Sequence, residues 1–496
     1  MLLPLAAAPW LTTWLTTIWL IGVGTLLGLG VLLLLWGLLF LVRRKAAAEV
    51  TLGITEGILL PLTFIVVFTA AFGIVGAFFA RDPITILQSI PRLPYAGQQT
   101  VVTTIPAGDE VMEVPVNFQG SQLKSLRLSA DRLVKVSVKP TDDDSLSPPV
   151  EIGPTDIFNW DRSSGNDDAF AGDFVENIYV TNLTNAEASL TIEFSSGPLY
   201  PQTSVVVTTA ISVVLLYLLY FIQAWCFPKI SAIALATTKS EIAQPLFGII
   251  LAVGAFLIIL FLFLPYNTFG EDIKMLKDSG LTLIMILAII QGVWGASNSV
   301  SEEIEGRTAL TVLSKPIGRR QFIIGKVLGI LWTVVFLFIV LGSVFLLVVA
   351  YKPVYDAREL GSEIPQWQLA FIEVTRTVPG LVLAFFETTV LVTLSVAIST
   401  RLPMLANFVI CFSIYVLGHL TPLIVQAPID FPPVVFVGQL IATILPVLDH
   451  FNIQAAIAAG LGVPSEYLVM AFIYCVLYSL IALLLALALF EDRDLA

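Results

Sequence analysis

The residue types from which a catalytic or metal centre is built are few and scattered in this chain. The two histidines, His419 and His450, stand apart, and Cys226, Cys411 and Cys475 lie far from one another without a ligand spacing. A histidine-based metal centre or a Ser/His/Asp triad is therefore not indicated. The cysteines fall in or beside apolar runs and read as buried fillers, and Asp449 beside His450 reads as a solvated loop rather than a dyad. The nearest approach to a phosphate-binding loop is "GRRQFIIGKV", where the glycine spacing is wrong and Val327 stands where magnesium binding needs Ser or Thr. No cofactor is expected on this chain, and any ATP chemistry must reside on another polypeptide. Two polar features remain. One is the charged island "SEEIEGRTALTVLSKPIGRRQFIIGKVLG", residues 301–329, set between long apolar runs; the other is Glu387 within "LVLAFFETTVLVTL".

An ionisable residue inside a spanning segment is a functional candidate by default, because an ionised carboxylate in hydrocarbon costs a few kcal/mol even on insertion-based scales, roughly 3. Glu387 is thus a possible pathway residue, with Gln291 as a second. A packing role is the alternative, the carboxyl being protonated or bonded to Thr388, Thr389 or a neighbouring helix. The island begins with Glu302, Glu303 and Glu305, runs through a short helical pattern at Leu310 and Leu313, turns at Pro316, and continues in a basic amphipathic piece leading to the next apolar run. Acidic residues early and basic ones late suit a helix dipole. Such a hairpin can present a ridge to a soluble partner; an ordinary loop against lipid headgroups is the alternative.

The elements that must position these residues are membrane helices. Of 496 residues, 57% are hydrophobic and 12% charged, and the mean hydropathy is +0.91, a composition no soluble globular chain carries. Apolar runs at 14–42, 54–80, 203–227, 246–265, 281–298, 327–350, 378–399, 404–424 and 467–490 predict about nine spans. The N-terminal run lacks a basic leader and is too long for a signal peptide, so it reads as a retained helix. Basic residues collect in cytoplasmic loops. Placing Arg43–Lys45 inside puts the N-terminus and segment 81–200 outside. It also brings Lys229, Lys239, Arg307, Lys315, Arg319, Arg320, Lys326 and Arg401 inside.

The net charge of −12 is concentrated in residues 101–200, which leaves no electrostatic basis for binding nucleic acid. Within that region "EVPVNF", "LKSLRLS", "LVKVSVKP", "ENIYVTNL" and "ASLTIEFS" alternate apolar and polar residues, predicting an antiparallel β-sandwich. Asp142–Asp144 and Asp167, Asp168 and Asp173 match no calcium-loop spacing and read as solvated turns. The fold class is an all-α polytopic membrane protein with an inserted extracytoplasmic β domain.

The island resembles the cytoplasmic loop of ABC-2 type transporter permeases. In that loop a Glu-x-Glu element, a Thr, an "LLS-P" turn, a basic residue and a "GK" pair recur. Here these are Glu303, Glu305, Thr308, Leu313, Ser314, Pro316, Arg319, Gly325 and Lys326. The likeness extends over 229–496. "ISAIALATTKSEIAQP" looks like the amphipathic elbow before the first core helix, and "GEDIKMLKDSGL" like the external turn between the first two. "LPVLDHFNIQ" and "LALALFEDRDL" resemble the approach to the last core helix and its end. Hydropathy and alternation give two N-terminal spans over 1–80, the β domain over 81–200 and a third span over 201–228, and the resemblance implies a six-helix core over 229–496. The coupling loop is then 299–326, with Glu302, Glu303, Glu305, Arg307, Thr308, Leu313, Pro316, Arg319, Arg320 and Lys326 at the contact with a separate ATPase. Such a permease is itself non-catalytic, dimerises with a copy or a paralogue, sits in lipid at the bacterial plasma membrane, and leaves ATP and Mg on the partner. The three added spans and the β domain depart from the plain family pattern and leave substrate and direction open. An ion-gradient-driven transporter or channel, and a membrane scaffold for the β domain, are the alternatives.

Overall fold

The computed structural model describes residues 8–55, 57–95, 97–108, 110–119, 123–137, 150–154, 156–161, 174–198, 200–264, 271–303, 317–426, 432–453, 456–457 and 460–491. The chain divides into two compact units, Met1–Arg81 with Thr209–Ala496, and Asp82–Thr208. Among the described residues nine helices are long and apolar enough to cross a membrane, and each predicted run falls on one of them.

The helical unit begins with α1 (Pro9–Val42), α2 (Arg44–Thr55) and α3 (Leu59–Val75). After the second unit, whose short α4 is Pro83–Gln88, the chain returns through α5 (Ser204–Cys226). The rest of the bundle is α6 (Pro228–Ile242), α7 (Pro245–Leu262), α8 (Asp272–Ala296), α9 (Arg319–Glu359), α10 (Trp367–Ser399), α11 (Met404–Gln426), α12 (Pro432–Ile444) and α13 (Ser465–Glu491). The three shorter helices α2, α6 and α12 lie outside the nine.

Two expectations are corrected here. The stretch "GEDIKMLKDSGL" is helical from Asp272 onward rather than a turn, residues 265–270 lying outside the described set. The basic piece Arg319–Lys326 is likewise no separate element but the opening turns of α9. Hydropathy ended both spans early because the extensions are charged, and the structure pairs those charges. Lys277 of α8 bonds to Glu373 of α10, and Lys352 near the end of α9 bonds to Asp356 at 2.8 Å and faces Asp272 at 4.0 Å. At 1.5 Å per residue, α9 is about 60 Å long, roughly twice the hydrocarbon thickness.

In lipid, helices associate by close packing and interhelical hydrogen bonds, which favours small residues at their crossings. Gly325 and Gly329 form such a pair on α9. A Cβ on Gly325 would come within 2.7 Å of Ile233 Cβ, and one on Gly329 within 2.7 Å of the Ala234 carbonyl oxygen. The Thr238 hydroxyl donates to the Gly329 carbonyl at 2.7 Å. The elbow-like sequence thus forms a helix seated on the start of α9. Gly22 of α1 and Gly73 of α3 make a second crossing, closed by Trp19 Nε1 donating to the Gly73 carbonyl at 2.9 Å.

The second unit is a sandwich of two four-stranded antiparallel sheets. Its strands are β1 (Gly97–Ile105), β2 (Val111–Gln119), β3 (Leu123–Ala130), β4 (Val134–Ser137), β5 (Val150–Ile152), β6 (Ile157–Asp161), β7 (Phe174–Asn182) and β8 (Ala188–Ser196). They pair in the orders β1-β8-β3-β6 and β2-β7-β4-β5. All five segments read as strands are strands, while β1, β5 and β6 were not anticipated. Leu126, Trp160 and Ile192 from one sheet share a core with Val114, Val134 and Ile178 from the other, as the alternation requires. The acidic clusters at 142–144 and at 167, 168 and 173 lie outside the described residues.

The α6–α9 crossing leaves no room for a side chain. Gly329→Leu is expected to lower the thermal midpoint of the detergent-purified protein by an amount corresponding to about 1–3 kcal/mol. Gly248→Leu, at a position with nothing within 4 Å of a Cβ, is expected to leave it unchanged. Equal midpoints for the two variants would show that the crossing is not close-packed.

Candidate functional site

Of the residues assigned to the loop, Glu305, Arg307, Thr308, Leu313 and Pro316 lie outside the described residues, as do Leu310 and Ser314, and only the backbone of Glu302 is described. The four that remain gather at one end of the bundle. A π-helical turn, Ser297–Glu302, carries α8 to Glu303. Lys326, two turns into α9 and 6% exposed, places its Nζ 2.5 Å from Glu303 Oε1 and 5.4 Å from the Phe322 ring centroid. This charge-assisted bond joins the residue that precedes segment 304–316 to the helix that follows it. Because Lys326 is desolvated by the helices around it, losing the carboxylate would leave a cation in a low dielectric. Arg319 donates to the Glu491 main-chain oxygen at 2.7 Å, tying the start of α9 to the end of α13. Arg320, exposed, lines with Lys229 and Phe490 a cavity of about 630 Å³.

Beside this clamp is a carboxylate that no spanning run revealed. Glu241, near the end of α6, is 1% exposed. Gln291 of α8 donates to its Oε2 at 3.4 Å, and Gln244 lies 3.5 Å from its Oε1. Gly295 faces the same carboxylate, and a Cβ there would stand 3.0 Å from Oε2. Gln291 therefore partners the α6 acid; its described contacts do not include Glu387. A polar cavity of about 530 Å³ lined by Thr237, Ser240, Glu241, Asn298, Glu303 and Lys326 joins the two groups. Hydropathy passes over Glu241 because α6 is too short and polar to register as a span.

Glu387 is on α10 and 2% exposed. Thr388 and Thr389, weighed as its partners, instead donate to the Ala384 and Phe385 carbonyls of their own helix, each at 2.8 Å. The group facing Glu387 comes from α11: His419 Nε2 lies 3.6 Å from Glu387 Oε1. Both border a cavity of about 160 Å³ that also takes in Asp278, Tyr415 and Phe451. His419 read as isolated because its partner is on the preceding helix. Applying the intramembrane-ionisable rule to histidine as well as to carboxylates would have singled it out. His450 and Asp449 are both exposed, on the turn Leu448–Phe451. Cys411 and Cys475 are buried, whereas Cys226 is exposed at the end of α5 and is not the filler its neighbours suggested.

A further polar cluster holds α8, α10 and α11 together near their shared ends. Asn407 Nδ2 lies 2.8 Å from each of the hydroxyls of Ser297, Ser395 and Ser399, and Cys411 Sγ donates to Asn407 Oδ1 at 3.2 Å. Among the described residues no three of His, Cys, Asp and Glu are grouped closely enough to hold a metal ion.

Membrane-length helices that pair their charges at the two ends of the bundle and keep a few bonded polar groups within it define a polytopic membrane protein suited to transport. The family model for ABC-2 family transporter proteins matches residues 46–495, and the chain belongs to that family, which supports a transport-permease role. No curated protein matches the chain. The matched range takes in α3, the β domain and α5, and α1 precedes it.

Interhelical hydrogen bonds in membrane proteins average about 0.6 kcal/mol. Asn407→Ala, which removes several at once, is expected to destabilise the protein by about 1–2 kcal/mol, read as a lower thermal midpoint in detergent, with Asn407→Asp retaining part of the loss. An unchanged midpoint in Asn407→Ala would show the cluster to be energetically neutral.

Proposed function

We propose that the chain is the membrane-spanning permease subunit of an ATP-binding cassette exporter. A separate ATPase carrying ATP and Mg docks on segment 299–326, and the chain functions as a dimer with a copy or a paralogous permease. The observation that supports this reading is the Glu303–Lys326 clamp. The bond ties the residue before segment 304–316 to the 41-residue helix after it, so a partner that pulls on Glu303 acts on that helix. A partner that binds the segment differently in its two nucleotide states would thereby shift the equilibrium of the bundle, since only differential binding does so.

In this reading the clamp end faces the cytoplasm of a bacterial cell and the β domain lies outside the plasma membrane. Substituted-cysteine labelling tests the orientation. With Cys226 replaced by Ser, Val102→Cys on β1 is expected to react with an impermeant maleimide in intact spheroplasts, and Arg320→Cys to react after permeabilisation alone. The reverse pattern would overturn the orientation.

Docking has its own test. Charge changes at solvated loops shift stability by about 0.5 kcal/mol or less, whereas removing one member of a desolvated charge pair at an interface costs roughly 2–5 kcal/mol of binding. Glu305→Ala, which leaves the Glu303–Lys326 bond in place, is expected to insert normally and to lose the ATPase on co-purification, or to retain it while hydrolysis runs uncoupled from transport. Arg319→Glu acts in the same direction, more strongly at low salt. Normal association and normal coupling in both variants would remove the basis for a docking site and favour an ion-driven transporter, for which the Glu387–His419 pair is the supporting observation.

A further inference from the structure

The cavity at Glu387 presents hydrogen-bond acceptors to one another. His419 Nδ1 lies 3.1 Å from the Tyr415 carbonyl oxygen, which can only accept, so Nδ1 carries a proton, and in the neutral imidazole Nε2 then presents a lone pair. Opposite that lone pair, at 3.6 Å, stands Glu387 Oε1, a buried oxygen with no hydrogen-bond partner. With the imidazole neutral and Glu387 ionised, the two acceptors repel unless a donor enters between them. The surroundings favour a positively charged donor. Asp278 of α8 lines the same space, and among the described residues no Lys or Arg does so. Tyr415 and Phe451 supply aromatic walls of the kind that attract cations.

We propose that this cavity is a binding site for the ammonium head of an amine-bearing substrate, with Glu387 as counter-ion and His419 Nε2 as a second acceptor. The proposal rests on the transport-permease reading and adds the substrate class to it. A water in the same place could donate to both atoms but would leave a buried carboxylate uncompensated. A divalent metal requires more ligands than the two atoms that converge here. The volume of about 160 Å³ corresponds to about five waters at ~30 Å³ each. The site therefore accepts a head group and a short stem, the remainder of a larger molecule lying outside it.

The test uses the full-length protein in nanodiscs without any ATPase, with n-butylammonium as probe in a ligand-observed NMR titration. Two comparators accompany it: n-butanol, of the same shape without charge, and tetramethylammonium, charged without N–H groups. Butylammonium is expected to bind saturably and about tenfold more tightly than either comparator, as charge-assisted hydrogen bonds imply. Glu387→Gln is expected to weaken it by about tenfold, and His419→Phe by a smaller factor, whereas the exposed Glu363→Gln leaves it unchanged. Thermal midpoints establish that the variants are folded; should Glu387→Gln not fold, the His419→Phe titration decides alone. Three results would overturn the proposal: equal affinity for butanol, full affinity in the folded variants, or no saturation up to about 50 mM, the last being what a pair that merely shares a proton would give. Because no ATPase is present, failure here leaves the docking reading intact, and failure of docking leaves this result intact.

Discussion

A lysine inside a membrane bundle has no water to solvate it, and the fold depends on how that constraint is met along α9. Lys326 and Lys352 are both buried, and each finds its carboxylate on or beside a different end of the bundle: Glu303 for the first, Asp356 and Asp272 for the second. Helical rise separates the two lysines by about 39 Å, close to the thickness of a bilayer core with its inner interface. The two clusters thus fasten the helix to its neighbours near both ends, a bilayer-like distance apart. The Lys277–Glu373 pair adds a second fastening at the Lys352 end, between α8 and α10.

With α9 held in this way, the rest of the unit is organised around it. Its first turns receive α6 at Gly325 and Gly329. Its middle receives α5, where Trp332 donates to Gln223 at 3.0 Å and packs edge-on against Tyr220 at 5.5 Å. Its far end receives α1, through Trp14 donating to the Leu347 carbonyl at 3.2 Å and contacting the Tyr351 ring at 5.1 Å. One continuous helix thus meets the N-terminal spans, the elbow and the clamped segment. The helix α5, which follows the β domain in the chain, meets α9 through the Trp332–Gln223 and Trp332–Tyr220 contacts. The family match beginning at residue 46 agrees with this packing, because α3 and α5 are integral to the bundle.

The interior acids divide by the donors they meet. Glu241 has amide donors, a glycine cut away to admit it and a polar cavity beside it, which suits a carboxylate that holds helices in place. Glu387 faces His419 Nε2 at 3.6 Å beside a small cavity. Its neighbouring threonines, which might have satisfied it, are already bonded to the backbone one turn earlier. The contrast is local: both acids are almost wholly buried, and the available donors decide their roles.

Among the described residues, the sequence by itself determined the number and placement of the spanning helices and the identity of five of the eight strands, because hydropathy over a bilayer-length window and strict two-residue alternation are local quantities. It also carried the family, through motifs that lie in order along the chain. The ends of α8 and α9 escaped it, since a charged helical extension looks like a loop until Lys277, Lys326 and Lys352 are seen with their partners. Glu241 and His419 escaped it for the same reason. Glu241 sits in a short helix that hydropathy ignores, and its donor is 50 residues away. His419 acquires meaning from a carboxylate on the preceding helix. Local sequence fixes which segments enter the membrane, but the cost of burying a charge depends on what stands opposite it. Only the packing of helices against one another decides that.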